Sequence, residues 1–176
     1  LADGAIGQIL VNYNNYNMPV HVQSHMVLNE FQKLSGGLSP SQVQEPERTA
    51  FFEKTYRIWA EPSDAPETPP PHATGAAIDL TLVDAQGCPL AMGSPIDENS
   101  ERSLPDHFKV EAPLYHQNRE RLRAVMEDAG FRRHPDEWWH FSLHDQMWCF
   151  TVSKETGAPF EAARYGRADL LKKNVP

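Results

Sequence analysis

The sequence predicts an α+β fold: one compact domain in which helices pack around an antiparallel or mixed sheet. Its 176 residues are enough for one hydrophobic core and too few for two. Strand-like and helix-like segments follow each other without the regular alternation of a parallel α/β fold. We therefore assign residues 1–176 to a single domain, with a proline-rich surface loop at 60–71 and a C-terminal tail at 153–176.

Hydrophobic periodicity and turn residues predict the elements one by one. In the helix at 115–129, Leu122 and Val125 share an apolar face and Arg119 lies elsewhere. The nearly continuous apolar run at 76–83 is typical of a buried central strand. In chain order the predicted elements are a strand at 9–13, helices at 22–34 and from 39 or 41 to 59, a strand at 76–83, a helix at 115–129, a hairpin of strands at 138–143 and 148–152, and a helix at 159–171.

The formal charge of -8 argues against a nucleic-acid or anionic-membrane partner, because either would need a basic face on the protein. No apolar run approaches the ~18 residues of a membrane span, and no signal peptide is visible. We therefore expect a cytoplasmic protein without a membrane partner, and we leave its oligomeric state open.

The two cysteines, Cys88 and Cys149, form no Cys-x-x-Cys pair. This argues against a thiolate zinc site and against thioredoxin-like chemistry. We expect both to be small core residues.

A carboxylate inside an apolar strand is the first candidate for a functional residue. Burial of Asp79 is costly unless a cation or hydrogen bonds compensate it. Alternatively, the strand lies at a sheet edge and Asp79 faces water. Six residues separate His72 from Asp79, and the glycine and alanines among them would let the backbone pass close to a bulky group. By itself, a histidine in a loop is usually a surface residue.

The segment Glu137-Trp138-Trp139-His140 is the second candidate. A turn before the strand would let Glu137 approach the site that His140 faces. A histidine ligand beside a carboxylate that does not bind the metal suits a hydrolytic zinc site, where the metal lowers the pKa of water towards ~7 and the carboxylate takes its proton. We expect the tryptophans to wall this site and exclude solvent, or else to be core residues.

Two histidines and one aspartate would form a three-ligand set with an open position, as in catalytic zinc sites. Zn²⁺ is therefore the expected cofactor. Spacing alone does not decide whether these three residues bind a metal, since a chain with 8 histidines and 24 acidic residues offers many sets of three that bind none.

These motifs resemble those of the D-alanyl-D-alanine dipeptidases of VanX type, within the wider group of zinc D,D-peptidases. The run His72-Ala-Thr-Gly-Ala-Ala-Ile-Asp79 is similar to the His-x6-Asp motif of that family, and Glu137-Trp-Trp-His140 is similar to its Glu-x-x-His motif. The likeness is dense over about 69–150 and includes the segments at 92–97, 101–103 and 118–119.

The resemblance implies a zinc peptidase domain with an antiparallel sheet that carries the site. It implies that His72, Asp79 and His140 bind zinc, that Glu137 is the general base, and that Asp97 pairs with the ammonium group of a small dipeptide. The substrate that it implies is D-Ala-D-Ala, which links the protein to peptidoglycan and the cell wall.

The chain departs from the family at an upstream arginine that is thought to stabilise the oxyanion. Tyr16-Asn17-Met18-Pro19 occupies that place here, and the first arginine of the chain is Arg48. Loss of one such donor typically costs ~10²–10³ in rate. Arg48 and Arg57, in the predicted second helix, are the candidates to replace it. A small hydroxyl residue expected to help bind the substrate carboxylate is replaced by Pro70.

Three hypotheses follow. The first is a zinc D,D-dipeptidase, the second is an enzyme of the same fold with a changed substrate, and the third is a non-catalytic zinc-binding module. The presence of Glu137 argues against the third. An arginine directed into the site would favour the first, and an enlarged apolar pocket near Met18 would favour the second.

Overall fold

The computed structural model describes residues 8–12 and 20–168 of the chain. It has four helices and a small antiparallel sheet, which confirms the predicted α+β class. The elements are β1 (Gln8–Asn12), α1 (Val20–Leu34), α2 (Glu47–Tyr56), β2 (Ala77–Val83), α3 (Pro113–Asp128), β3 (Arg132–Arg133), β4 (His140–Ser142) and α4 (Gln146–Thr156), with short 3₁₀ turns at Pro40–Gln42, Pro71–Thr74 and Glu101–Ser103.

The sheet has the strand order β1-β2-β4-β3, and all of its pairs are antiparallel. The predicted central strand is therefore confirmed: β2 lies between β1 and β4. Its register places Asp79 directly opposite His140 of β4. Because successive side chains of a strand alternate between the two faces, Asp79 points away from the face of Leu80 and Leu82. That second face packs on the core, whose other members are Met92, Leu122, Met126, Trp138, Trp139 and Phe141.

The first two helices pack against each other through aromatic rings. Phe31 of α1 contacts Phe51 and Phe52 of α2, with ring centroids 5.6 Å and 4.7 Å apart. The predicted second helix is shorter than expected, since α2 begins only at Glu47. The residue before a proline is disfavoured in the α region, so Pro46 sets the helix start and only a 3₁₀ turn forms upstream of it.

The predicted hairpin after residue 138 is wrong in its second strand. Residues 146–156 form α4 instead. The carboxylate of Asp145 accepts the backbone N–H of Trp148 at 2.8 Å and caps the helix N-terminus, and Gly157 ends it in a left-handed conformation. The predicted helix in the tail is also absent from residues 157–168, which lie outside any helix or strand; residues 169–171 lie outside the described part of the chain.

Arg119 of α3 is buried, contrary to its predicted place away from the apolar face of the helix. The guanidinium of Arg119 donates to the carbonyl oxygens of Met92, Leu104 and Arg102 at 2.7–2.8 Å. Burial lowers its pKa to about 10, which leaves it charged at neutral pH. Val125, which was predicted to lie on the apolar face of this helix, is exposed. Arg119 therefore ties the irregular segment 92–104, which carries Asp97, to α3.

Two further expectations are settled by burial. Cys149 is buried as expected, but Cys88 is exposed and is not a core residue.

Within residues 8–12 and 20–168, none of the helices has the length and apolar character that a bilayer crossing needs.

Candidate metal centre

Three side chains from separate parts of the chain converge near the N-terminal end of β2. Nε2 of His72 lies 3.3 Å from Oδ2 of Asp79 and 3.1 Å from Nδ1 of His140. The same Nδ1 lies 3.2 Å from Oδ1 of Asp79. Asp79 and His140 are almost fully buried, while His72 is partly exposed, so the cluster opens to solvent on the side of His72.

Local backbone structure explains this convergence. Asp79 and His140 face each other across the β2–β4 pair. His72 reaches them from the 3₁₀ turn at Pro71–Thr74, which ends at Gly75 in the left-handed region, with φ of 72°. An added Cβ at Gly75 would meet its nearest neighbour only at 3.9 Å. The glycine is therefore required by the turn's conformation, and the expected close approach of a bulky group is wrong.

Hydrogen bonds and charge make Asp79 the anionic member of the cluster. Burial opposes its ionisation, but the hydrogen bonds from His140 and His72 outweigh burial and hold the pKa of Asp79 below its usual range. Burial likewise opposes the charged form of His72, yet the hydrogen bond and charge of Asp79 raise the pKa of that imidazole. On the far side of its ring, Nε2 of His140 lies 3.3 Å from the hydroxyl of Ser142, which orients the ring.

Glu137 lies beside this cluster without belonging to it. It precedes β4 in an irregular turn, and its Oε2 is 3.5 Å from Nδ1 of His140. Burial raises the pKa of Glu137 well above its usual value, and the charges of Asp79, Asp97 and Asp136 add to the rise. A carboxyl group of this kind is a candidate proton acceptor and donor at neutral pH.

The three residues fit a zinc ion by distance and by charge. Zinc bonds of about 2.0–2.1 Å in a tetrahedron place the ligand atoms about 3.3 Å apart, close to the three separations in the cluster. Two facing ring nitrogens at 3.1 Å can share at most one proton, whereas both can bind a cation. Of the described residues that line the cavity, Asp79, Asp97 and Glu137 bring three carboxyl groups and Arg57 one guanidinium, and a divalent cation would balance the excess of negative charge.

The cluster lies at the base of a cavity of about 180 Å³. Asp97 lines this cavity; burial and the charge of Asp79 raise its pKa to about 6, against the opposing effect of His72. Neither Trp138 nor Trp139 lines it, so the expectation of tryptophan walls is wrong: both rings pack in the core. The other lining residues belong to α1, the end of α2 and the residues after it, the turn before β2, the turn after β3, and α4. They are Gln23, Met26, Val27, Tyr56, Arg57, Ile58, Trp59, Ala60, Pro70, Pro71, Ala73, His134 and Met147.

A second group of acidic and histidine side chains does not form a comparable site. Asp106, His116 and Glu120 lie close together at the surface. Both oxygens of Glu120 are already paired with guanidinium groups, those of Arg123 at 3.0 Å and Arg133 at 2.9 Å. These positive charges disfavour a cation at that position.

Comparison with known proteins identifies the family. Residues 4–156 match the D-ala-D-ala dipeptidase family, a family of metallopeptidases. The chain belongs to this family. A D-alanyl-D-alanine dipeptidase of Synechocystis sp. is 40% identical over 163 residues, which cover 86% of this chain and 66% of that protein. The D-alanyl-D-alanine dipeptidases of Escherichia coli and Enterococcus faecium are 43% and 42% identical over 88 and 78 residues. The chain spans less than two thirds of the Synechocystis relative, 45% of the E. coli one and 37% of the E. faecium one.

Within this dipeptidase-family chain, the two arginine candidates lie in different places. Arg48 is on the surface, where it pairs with Glu45 at 2.6 Å. Arg57 borders the cavity. Its Nη1 donates to Glu101 at 2.8 Å and its Nη2 to the carbonyl of Ser100 at 2.6 Å, while its buried Nε has no hydrogen-bond partner among the described residues. The segment with Met18 lies outside the described residues.

His134 is a cavity residue that the sequence analysis missed. It directly follows β3, and the centroid of its ring lies 5.5 Å from that of His140. Burial and the neighbouring His140 lower the pKa of His134 to about 3, with Asp79 opposing them, so the ring is neutral at physiological pH. Its position three residues before Glu137 was the available signal, but a surface turn would carry the same His-Pro-Asp sequence.

Proposed function

We propose that the protein hydrolyses a small dipeptide, D-Ala-D-Ala, at a zinc centre held by His72, Asp79 and His140. The observation that carries this proposal is the placement of Glu137 beside a three-ligand cluster: its carboxylate lies 3.5 Å from His140, at the base of the cavity. The family membership of the chain supports the same reaction class. A zinc ion bound there would polarise the peptide carbonyl and lower the pKa of water towards ~7.

Glu137 is the proposed general base. It accepts a proton from the attacking water and returns it to the leaving amine as the peptide C–N bond breaks. The neighbouring carboxylates and its burial favour the protonated form, so the residue can hold this proton between the two steps.

Two charged residues of the cavity suit the remaining groups of a zwitterionic dipeptide. Asp97 provides a carboxylate for the substrate's ammonium group. Arg57 has a buried Nε that pairs with no other residue in the described part of the chain, and it is the proposed donor to the oxygen on which negative charge develops. In this proposal Arg57 takes the place of the upstream arginine, from the end of α2.

A dipeptide with a larger apolar side chain is the second candidate substrate. The observation that favours it is that the apolar side chains of Met26, Val27 and Met147 line the cavity. A faster reaction with D-Ala-D-Leu than with D-Ala-D-Ala would favour this alternative.

The deciding experiment is hydrolysis of D-Ala-D-Ala by the zinc-loaded protein and by Glu137→Ala, with zinc content measured on both. We expect turnover by the wild type alone and equal zinc content, because Glu137 is not a ligand in the proposal. Loss of zinc from the variant would contradict the assignment of base and ligands. One zinc per chain without turnover by the wild type would contradict the dipeptidase proposal.

A further inference from the structure

We propose that His134 is the positioning residue for Glu137, an inference that rests on the proposed function. Its main-chain N–H donates to the carbonyl oxygen of His140 at 2.9 Å. Its ring nitrogen Nδ1 accepts the main-chain N–H of Asp136 at 3.1 Å. One residue thus binds both ends of the short segment that carries the proposed base and a proposed ligand.

The two sides of Glu137 are held differently. On the C-terminal side, the N–H of Trp138 donates to Ser103 at 3.1 Å, and the carbonyl of Trp139 accepts from Leu80 of β2 at 3.1 Å. On the N-terminal side, the bond to the ring of His134 is what holds Asp136. Loss of that bond would free one side of Glu137 and leave the sheet and the His72–Asp79–His140 cluster in place.

The hydrogen bond also defines the state of the imidazole. A main-chain N–H can only donate, so Nδ1 of His134 carries no proton and the neutral ring has its proton on Nε2. An asparagine side chain can place an amide oxygen near the position of Nδ1, whereas phenylalanine keeps a ring of similar size without an acceptor. These two substitutions separate the hydrogen bond from the bulk of the ring.

The test compares zinc-loaded wild type, His134→Phe and His134→Asn in D-Ala-D-Ala hydrolysis. We expect His134→Phe to lower kcat by about 10–10²-fold, because a displacement of about 1 Å in a catalytic group costs up to that much. KM and zinc content should stay unchanged, and His134→Asn should recover most of the lost kcat. His107→Phe is the matched control: this histidine makes an edge-to-face contact with Phe108 and does not line the cavity, so the substitution should leave kcat unchanged.

Several results would overturn the proposal: an unchanged kcat in His134→Phe, an equal loss in His134→Asn, or a loss explained by missing zinc. Hydrogen exchange of the Asp136 amide gives a readout that does not depend on turnover. The Asp136 amide should exchange about tenfold faster or more in His134→Phe and at the wild-type rate in His134→Asn. A wild type without turnover would refute the dipeptidase proposal, while unaltered exchange in His134→Phe would refute the role of His134 alone.

Discussion

At the scale of single residues, the two arginines near α2 show how surroundings decide a role. Arg48 forms an exposed pair with Glu45, of the kind that contributes little to stability. Arg57 has its two terminal nitrogens held by Glu101 and Ser100, so its guanidinium is fixed beside the cavity. A buried donor without a partner is rare in native proteins. In the proposed function, the Nε of Arg57 donates to an oxygen of the substrate.

We expect Arg57→Ala to lower kcat for D-Ala-D-Ala by about 10²–10³-fold, as loss of an oxyanion donor does in other hydrolases. Zinc content should not change, and added guanidinium salts should restore part of the activity. Arg48→Ala, measured in the same assay, should match the wild type. Equal effects of the two substitutions would show that Arg57 does not act at the site.

At the scale of elements, α4 depends on the residue that precedes it. Asp145 is fully buried and accepts the N–H of Trp148, which satisfies one of the free donors of the helix N-terminus. Met147, in the first turn of α4, lines the cavity. The start of this helix therefore contributes both to stability and to the shape of the proposed substrate site.

We expect Asp145→Ala to lower the free energy of unfolding by about 0.5–2 kcal/mol, the usual effect of removing an N-terminal cap. Asp145→Ser keeps a capping oxygen and should lose less. Urea denaturation of the zinc-loaded protein measures both. Asp128→Ala, at the exposed C-terminal end of α3, is the control and should change stability by no more than about 0.5 kcal/mol. A loss equal to that of Asp145→Ala would contradict the capping role.

At the scale of the whole molecule, the proposed metal joins parts of the chain that are distant in sequence. His72 comes from the turn before β2, Asp79 from β2 and His140 from β4. Asp97 and Glu137 bring further negative charge to the same cavity. A cation at this point would hold the sheet and the turn together and reduce the repulsion among the carboxylates.

We expect chelation of zinc to lower the thermal midpoint of unfolding and renewed zinc to restore it. A ligand that binds only the folded state, present at a free concentration of about 100 times its Kd, adds about 2.7 kcal/mol to the free energy of unfolding. His72→Ala reduces the proposed ligands to two, so its midpoint should not respond to chelator or to zinc. Calorimetric scans measure all of these midpoints. A wild-type midpoint that does not respond to zinc would contradict the metal centre.

The sequence predicted most of the sheet because its signals are local, and the likeness of two short motifs to a known family predicted the cluster. The periodicity of α1 and α3 and the apolar run of β2 are patterns of neighbouring residues, and the two motifs place His72, Asp79, Glu137 and His140 within short segments. The prediction of a second hairpin strand was wrong because a local signal was missing there. Residues 146–156 carry no strong periodicity, and their helix is set by the caps at Asp145 and Gly157.

By itself, the sequence determined the fold class, the central strand and the four residues gathered at the base of the cavity. Tertiary structure alone decided the roles of three other side chains with basic groups. Arg119 is buried through bonds to carbonyls at residues 92–104, Arg57 rather than Arg48 borders the cavity, and His134 holds the turn before Glu137. The physical reason is that burial and hydrogen bonding of these side chains depend on partners that lie far away along the chain or across a turn.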